Sequence, residues 1–239
     1  MISGEKSGLV TIMIPWVLLD SATIPVDGGE LRLYRRAEEF SIRIVGGGEL
    51  MNSRVHGSEE ALAELACARL AGRVRPRLLI GGLGMGYTLA AALKNLGSDG
   101  EVVVAELVAA VVEWNRGPLG ALAGQPLADA RAGAQVVDVA RLLKAADQDY
   151  DAILLDVDNG PEGLTQRSND WLYSAAGLNA AFSALRPGGV LGVWSAGPAP
   201  DFADRLRQRG FEVDEVRVRA RGAVRKGAWH TLWLAGRNA

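Results

Sequence analysis

Hydrophobic and polar positions alternate early in the chain and then settle into a slower rhythm. Glu30-Leu31-Arg32-Leu33-Tyr34 and Phe40-Ser41-Ile42-Arg43-Ile44-Val45 put apolar and polar side chains at alternate positions, as half-buried strands do. An apolar run from Ile12 through Leu19 is expected to join them, and the breaks Asp27-Gly28-Gly29 and Gly46-Gly47-Gly48 supply turn chemistry. Residues 1–56 are therefore expected to form a small antiparallel β appendage. At Ser58 the period lengthens to that of a helix. Ser58 is the expected N-cap, Glu59 and Glu60 sit near the positive end of the helix dipole, and the helix should stop near Gly72.

Beyond that point strands and helices alternate regularly. Strands are expected at 77–81, 102–106, 134–138, 152–156 and 190–195, with helices at 86–96, 108–115, 139–146, 169–185 and 199–209. This alternation is the signature of a parallel sheet covered on both faces. The last two apolar runs, 211–218 and 229–234, have only a polar loop between them and read as a hairpin, which makes the final strand antiparallel. The expected fold class is α/β. By analogy it is a Rossmann-like, seven-stranded methyltransferase-type sheet with a terminal antiparallel hairpin, spanning 57–239 behind the appendage.

Composition narrows the function classes. At 49% hydrophobic and 23% charged residues the chain can bury a sizeable core, and 239 residues fit one catalytic domain with a small extension. A net charge of −2 gives no overall attraction to nucleic acid or an anionic membrane, and neither partner is expected. The single cysteine, Cys67, excludes a disulfide within the chain, and with only His56 and His230 besides, no metal site of Cys/His type is expected. The start of the chain lacks the basic-then-apolar order of a signal peptide, so a cytoplasmic location is expected.

Candidate chemistry gathers at the ends of the expected parallel strands. Leu78-Leu79-Ile80-Gly81-Gly82-Leu83-Gly84-Met85-Gly86-Tyr87 runs from an apolar strand through a glycine-rich turn into a helix. Gly82, Gly84 and Gly86 let the backbone turn sharply and let a ligand approach without meeting a Cβ atom. Glu106 closes the next strand about 20 residues on, where a carboxylate can accept both hydroxyls of a ribose. Asp138 ends the third strand and either accepts from an adenine amino group or caps the following helix.

The fourth strand delivers Asp156, with Asp158 close behind in Asp156-Val157-Asp158-Asn159-Gly160-Pro161. Ligand crevices in open α/β sheets lie outside the carboxyl ends of the strands, so both carboxylates are expected beside the reactive end of a nucleoside. One can hold or deprotonate an amine, while a sulfonium offsets their mutual repulsion. The other reading is a turn that favours Asp, Asn, Gly and Pro. The polar stretch 161–169 suits a lid, Trp194 ends the fifth strand beside the crevice, and the basic run 217–226 reads as a solvated hairpin without an aromatic platform.

The order of glycine-rich turn, Glu106, Asp138, Tyr150-Asp151-Ala152-Ile153-Leu154-Leu155-Asp156 and Leu185-Arg186-Pro187-Gly188-Gly189 resembles the polyamine aminopropyltransferases, the spermidine and spermine synthases, over roughly residues 75 to 196. The resemblance implies that Glu106 and Asp138 hold the ribose and adenine of decarboxylated S-adenosylmethionine and that Asp156 serves the attacking amine. It also implies transfer of an aminopropyl group to a small-molecule amine, and a homodimer. Three positions depart from the pattern. Gly84 stands where the family carries an Asp that binds the aminopropyl nitrogen, the second carboxylate of Asp-x-x-Asp-Pro has moved to Asp158, and Gly57-Ser58-Glu59-Glu60 replaces Tyr-His-Glu. Methyl transfer from S-adenosylmethionine, and a non-catalytic nucleoside-binding scaffold, therefore stay open. Glu59 and Glu60 either present negative charge to a cationic acceptor or are ordinary helix-start acids.

Overall fold

The computed structural model describes residues 14–25, 28–157, 160–161, 169–222 and 227–238 of the 239-residue chain. Asp158, nearly all of the expected lid, the start of the first expected strand and residues 223–226 of the basic run lie outside the described residues.

The alternating segments near the N-terminus form a four-stranded antiparallel sheet in sequence order: β1 (Val17–Thr23), β2 (Glu30–Arg36), β3 (Glu39–Ile44) and β4 (Gly48–Asn52). Three of these strands were expected. The fourth, Gly-Glu-Leu-Met-Asn, was not, because it has no β-branched residue and begins inside a glycine run read as a turn. Alternation puts Leu31, Leu33, Phe40 and Ile42 on one face, and these side chains belong to the same buried cluster as Leu78, Ile80 and Leu154 of the main domain. Trp114 Nε1, on a helix of the main domain, donates to Asp20 Oδ2 of β1 at 2.7 Å and ties the two regions together again.

Then come α1 (Gly57–Ala68), β5 (Arg77–Gly81), α2 (Tyr87–Asn95), β6 (Glu101–Glu106), α3 (Ala109–Arg116), β7 (Ala132–Val136), α4 (Val139–Ala145), β8 (Tyr150–Leu155), α5 (Asp170–Tyr173), α6 (Ala175–Ala184), β9 (Leu185–Ser195), α7 (Phe202–Arg207), β10 (Phe211–Arg219) and β11 (Trp229–Arg237). The second sheet has seven strands in the order β10-β11-β9-β8-β5-β6-β7. β7, β6, β5, β8 and β9 run parallel, and β11 runs antiparallel to both of its neighbours, as the two consecutive apolar runs implied. The sheet is covered on both faces, which is why its central strands read as unbroken apolar runs. Leu78 and Ile80 of β5 face a cluster with α1, α2 and α3, while Leu79 faces the opposite cluster with α4, α6 and α7. The chain leaves β5 toward β6 and β7 on one side and returns to β8 on the other, so the sheet reverses its order between β5 and β8, where a crevice is expected.

Two local expectations change. The helix expected at 169–185 is broken at Ser174, whose hydroxyl accepts from the Gly177 N–H and caps α6. Ser58 does not cap α1. The helix begins two residues earlier, at Gly57 behind His56, because Gly57 is wedged against the β10–β11 connection: its N–H donates to the Ala220 carbonyl at 2.9 Å, and a side chain there would strike the Gly222 backbone. Ser58 is turned inward. Among the described residues, no helix is long and apolar enough to cross a membrane.

Candidate active site

β5 ends against the glycine turn, whose conformation its neighbours dictate. Gly82 has φ +88°, and a Cβ there would lie inside the carbonyl oxygen of Asp156, so neither conformation nor space admits a side chain. Gly84 borders the crevice with the Met51 thioether of β4 packed over it, and Asn115 of α3 donates to its carbonyl at 2.8 Å. Gly86 is the N-cap of α2 and does not line the crevice. Its role is to start the helix.

Glu106, at the end of β6, closes the same turn. Its Oε2 accepts the Leu83 N–H and its Oε1 accepts the Val108 N–H, both at 2.9 Å. Only 8% of the residue is exposed, and burial pushes its pKa above the ordinary carboxylate range against the opposing pull of the backbone N–H groups of Val108, Leu83, Leu107 and Gly84. Each oxygen keeps acceptor capacity for one more donor, which suits a pair of vicinal hydroxyls. Asp138 lies on the same wall. Its Oδ1 accepts the Ala140 N–H at 2.8 Å and caps α4, so the capping reading holds, and the residue also faces the crevice.

The crevice spans about 750 Å³, the open solvent at its mouth included. Leu107, Val108, Val137 and Val139 form one apolar wall, and Leu31, Ile42, Leu50 and Met51 of the N-terminal sheet form the other. Two apolar walls with carboxylates at the edge match a planar base carrying a polar sugar. One of the crevice's two apolar walls thus comes from the segment read as an appendage.

A second, smaller compartment of about 350 Å³ adjoins it, lined by Met51, Val55, Glu59, Met85, Tyr87, Thr88 and Asp156. Asp156, just past β8, borders both hollows and stands where they meet. Its Oδ2 accepts the Thr88 hydroxyl, and burial raises its pKa to about 6. Glu59 of α1 is raised further, to about 8, first by burial and then by the negative charge of Asp156, while the Ser58 hydroxyl pulls it down. The two carboxyls titrate as a pair, and a cation between them would favour ionisation of both. Tyr87 stacks on His56 with ring centres 4.1 Å apart, donates to the Ser53 carbonyl at 3.3 Å, and is pushed to about 12 by burial and by Glu60 and Glu59. Glu60 itself bonds His56 Nδ1 at 3.0 Å.

The structure thus brings together Gly82, Gly84, Glu106, Asp138 and Asp156, and leaves Gly86 behind the turn. Sequence reasoning missed Met51, Thr88, Asn115, and the contacts of Ser58 with Trp194 and His230. No spacing rule joins residues so far apart. Elsewhere, Arg217 and Arg219 of the basic run lie over the Trp229 ring, at 5.5 and 3.9 Å, so an aromatic partner is present there after all. Among the described residues, no group of three His, Cys, Asp or Glu side chains is placed to hold a metal ion.

The sequence matches no protein-family profile and no curated protein. Solved structures do match. A spermidine synthase in complex with the transition-state analogue AdoDATO superposes with a TM-score of 0.71 at 16% identity, covering 92% of this chain and 72% of that one. Spermidine synthase from Thermotoga maritima gives 0.72 at 16% identity, covering 92% and 73%. The chain has a spermidine synthase-like fold, and at this identity the likeness is one of fold.

Proposed function

We propose that the protein is a transferase that moves an aminopropyl group from decarboxylated S-adenosylmethionine to a small amine. The observation that carries this reading is the Glu59–Asp156 pair: two partly buried carboxyls, both with raised pKa, line a compartment that opens into the Glu106 crevice. Anionic side chains in an apolar hollow suit a cationic acceptor. In the reaction the amine nitrogen forms a bond to the carbon attached to sulfur, the carbon–sulfur pair returns to sulfur, and the nitrogen gives up a proton.

Glu106 and Asp138 would hold the nucleoside, Gly82 and Gly84 would admit it, and Asp156 with Glu59 would orient the amine and take its proton. The protein's share is alignment and exclusion of water, since the leaving group is already activated. Two of the solved structures of like fold are spermidine synthases, which supports the same class of chemistry.

Methyl transfer from S-adenosylmethionine is the second reading, and Gly84 favours it. The Met51 thioether packs where the resembled family has a carboxylate for the aminopropyl nitrogen. Incubation of the protein with each sulfonium nucleoside and a series of diamines, followed by mass spectrometry, tests both. Methylthioadenosine with an aminopropylated amine is the expected product. S-adenosylhomocysteine from S-adenosylmethionine alone would overturn the aminopropyl reading in favour of the second.

A further inference from the structure

We propose that Ser58 and His230 form a proton path that carries the acceptor's proton from Glu59 out of the smaller compartment, an inference that rests on reading that compartment as the acceptor side. Ser58 is wholly buried in the first turn of α1, and its hydroxyl has three partners: Glu59 Oε2 at 2.7 Å, His230 Nδ1 at 2.8 Å and Trp194 Nε1 at 3.0 Å. A hydroxyl has one hydrogen to give and two acceptor positions. The indole N–H can only donate, so it takes one acceptor position in every state. One hydrogen and one acceptor position remain to be divided between a carboxyl and an imidazole.

Two arrangements satisfy every partner. With Glu59 ionised, Ser58 donates to the carboxylate and His230 donates from Nδ1. With Glu59 protonated, the carboxyl donates to Ser58, Ser58 donates to Nδ1, and the imidazole carries its hydrogen on Nε2. With the Glu59 proton on Oε2, the oxygen that meets Ser58, the other neutral-imidazole combinations leave a donor or acceptor at the hydroxyl unpaired, which costs about 1–3 kcal/mol. The charge of Glu59 and the tautomer of His230 are therefore linked through one hydroxyl.

Transfer follows from the second arrangement. The amine nitrogen loses a proton to Glu59, and Glu59 passes a proton to Ser58 Oγ as the Ser58 hydroxyl proton moves to His230 Nδ1. The imidazolium so formed releases its Nε2 proton to solvent, and opening of the Nδ1–Ser58 bond lets the remaining proton exchange with water, so that the ring returns to the Nε2–H form. The net change is one proton from amine to water. His230 is suited to the outlet because it is half-buried, and burial lowers its pKa, so the charged ring gives up its proton readily. Trp194 fixes the hydroxyl and meets the His230 ring edge to face at 4.8 Å.

The surroundings are defined. Glu59 faces Asp156 and Thr88 across the compartment, Tyr87 on α2 and Glu60 on its own helix. His230 faces Ser58 and Trp194, and pairs in register with Val218 of β10, where Arg217 and Arg219 turn to Trp229.

The chain has only two histidines, so the test is direct: nitrogen-15 NMR of the full chain labelled at histidine, followed from about pH 5 to about pH 9. His230 is expected to pass from the Nε2–H to the Nδ1–H tautomer as Glu59 ionises. Glu59→Gln and Ser58→Ala should each abolish that step, and Glu60→Gln should leave it in place. Circular dichroism and thermal melting of each variant report that it is folded, since His56 Nδ1 bonds Glu60 and senses that substitution itself. With decarboxylated S-adenosylmethionine and 1,4-diaminobutane, Ser58→Ala and His230→Gln should lower kcat by about 100-fold with little change in KM, and flatten the pH–rate profile. A His230 tautomer indifferent to pH, or a step that persists in Ser58→Ala, would overturn the path. A clear tautomer step in a chain that makes no methylthioadenosine would uphold the linkage and overturn the reaction.

Discussion

The two hollows of the crevice are built in opposite ways. One wall of the larger one is made from successive βα units: the turn from Gly82 to Gly84, the end of β6 and the start of α4, each presenting backbone groups or a strand-end carboxylate, with the N-terminal sheet opposite. Glu106 is fixed there by the N–H groups of Leu83 and Val108, which no mutation elsewhere can remove. The smaller hollow is assembled from side chains of α1, α2, β4 and the end of β8, and is backed by Trp194 of β9 and His230 of β11. The wall around Glu106 is held by backbone N–H groups, which do not titrate. A hollow held by coupled side chains can change its protonation, which is what a compartment receiving a proton requires.

The sharpest way to break that contrast is Glu106→Ala. It leaves two buried backbone donors without partners, and the unfolding free energy should fall by about 2–6 kcal/mol in a denaturant titration, with loss of nucleoside binding. Asp156→Asn should do the reverse, lowering turnover by about 100- to 10,000-fold while the protein stays folded. A smaller fall in rate, or a large fall in stability, would erase the distinction between the two hollows.

The pH dependence sharpens it further. Glu59 and Asp156 both have folded-state pKa values above their unfolded ones, about 8 against 4.5 and about 6 against 3.8. Raised carboxyls contribute stability that is full below the unfolded pKa and is lost as pH rises through the folded value. The His230 shift is downward and acts below pH 6.5, with the opposite sign. Thermal stability of the free chain should therefore decline between about pH 6.5 and about pH 8, and Glu59→Gln should flatten that limb. A cationic ligand lowers both carboxyl pKa values, so binding should release protons, measurable by calorimetry in buffers of different ionisation enthalpy. The smallest effect is expected at Asp138. Asp138→Ala should cost about 1 kcal/mol through the lost cap, and Asp138→Asn almost nothing, so any change in nucleoside affinity in the Asn variant reports contact with the base.

The carboxylate-bearing wall of the larger hollow was legible in the sequence because its parts are local. A strand, a glycine turn and a carboxylate about 20 residues on are joined by one βαβ unit, whose geometry hardly varies. Asp156 was legible for the same reason, as the end of an apolar strand beside the reversal of sheet order. Ser58 was misread because a serine before two acids at a helix start is the pattern of a cap, and its burial between β9 and β11 leaves no trace at that position. Met51 was missed because β4 has no strong strand signal, and β4 exists because β3 offers it a partner edge.

Hydrophobic periodicity alone determined the alternation of strands and helices, the reversal of the last strand, and which carboxylates reach the carboxyl edge of the sheet, since each depends on residues near one another in the chain. Tertiary structure decided the rest: that the N-terminal sheet supplies a wall of the crevice, that Glu59 faces Asp156, and that Ser58 meets a histidine 172 positions away. Those are contacts between elements, fixed by how faces pack, and a period along the chain specifies a face without naming what will lie against it.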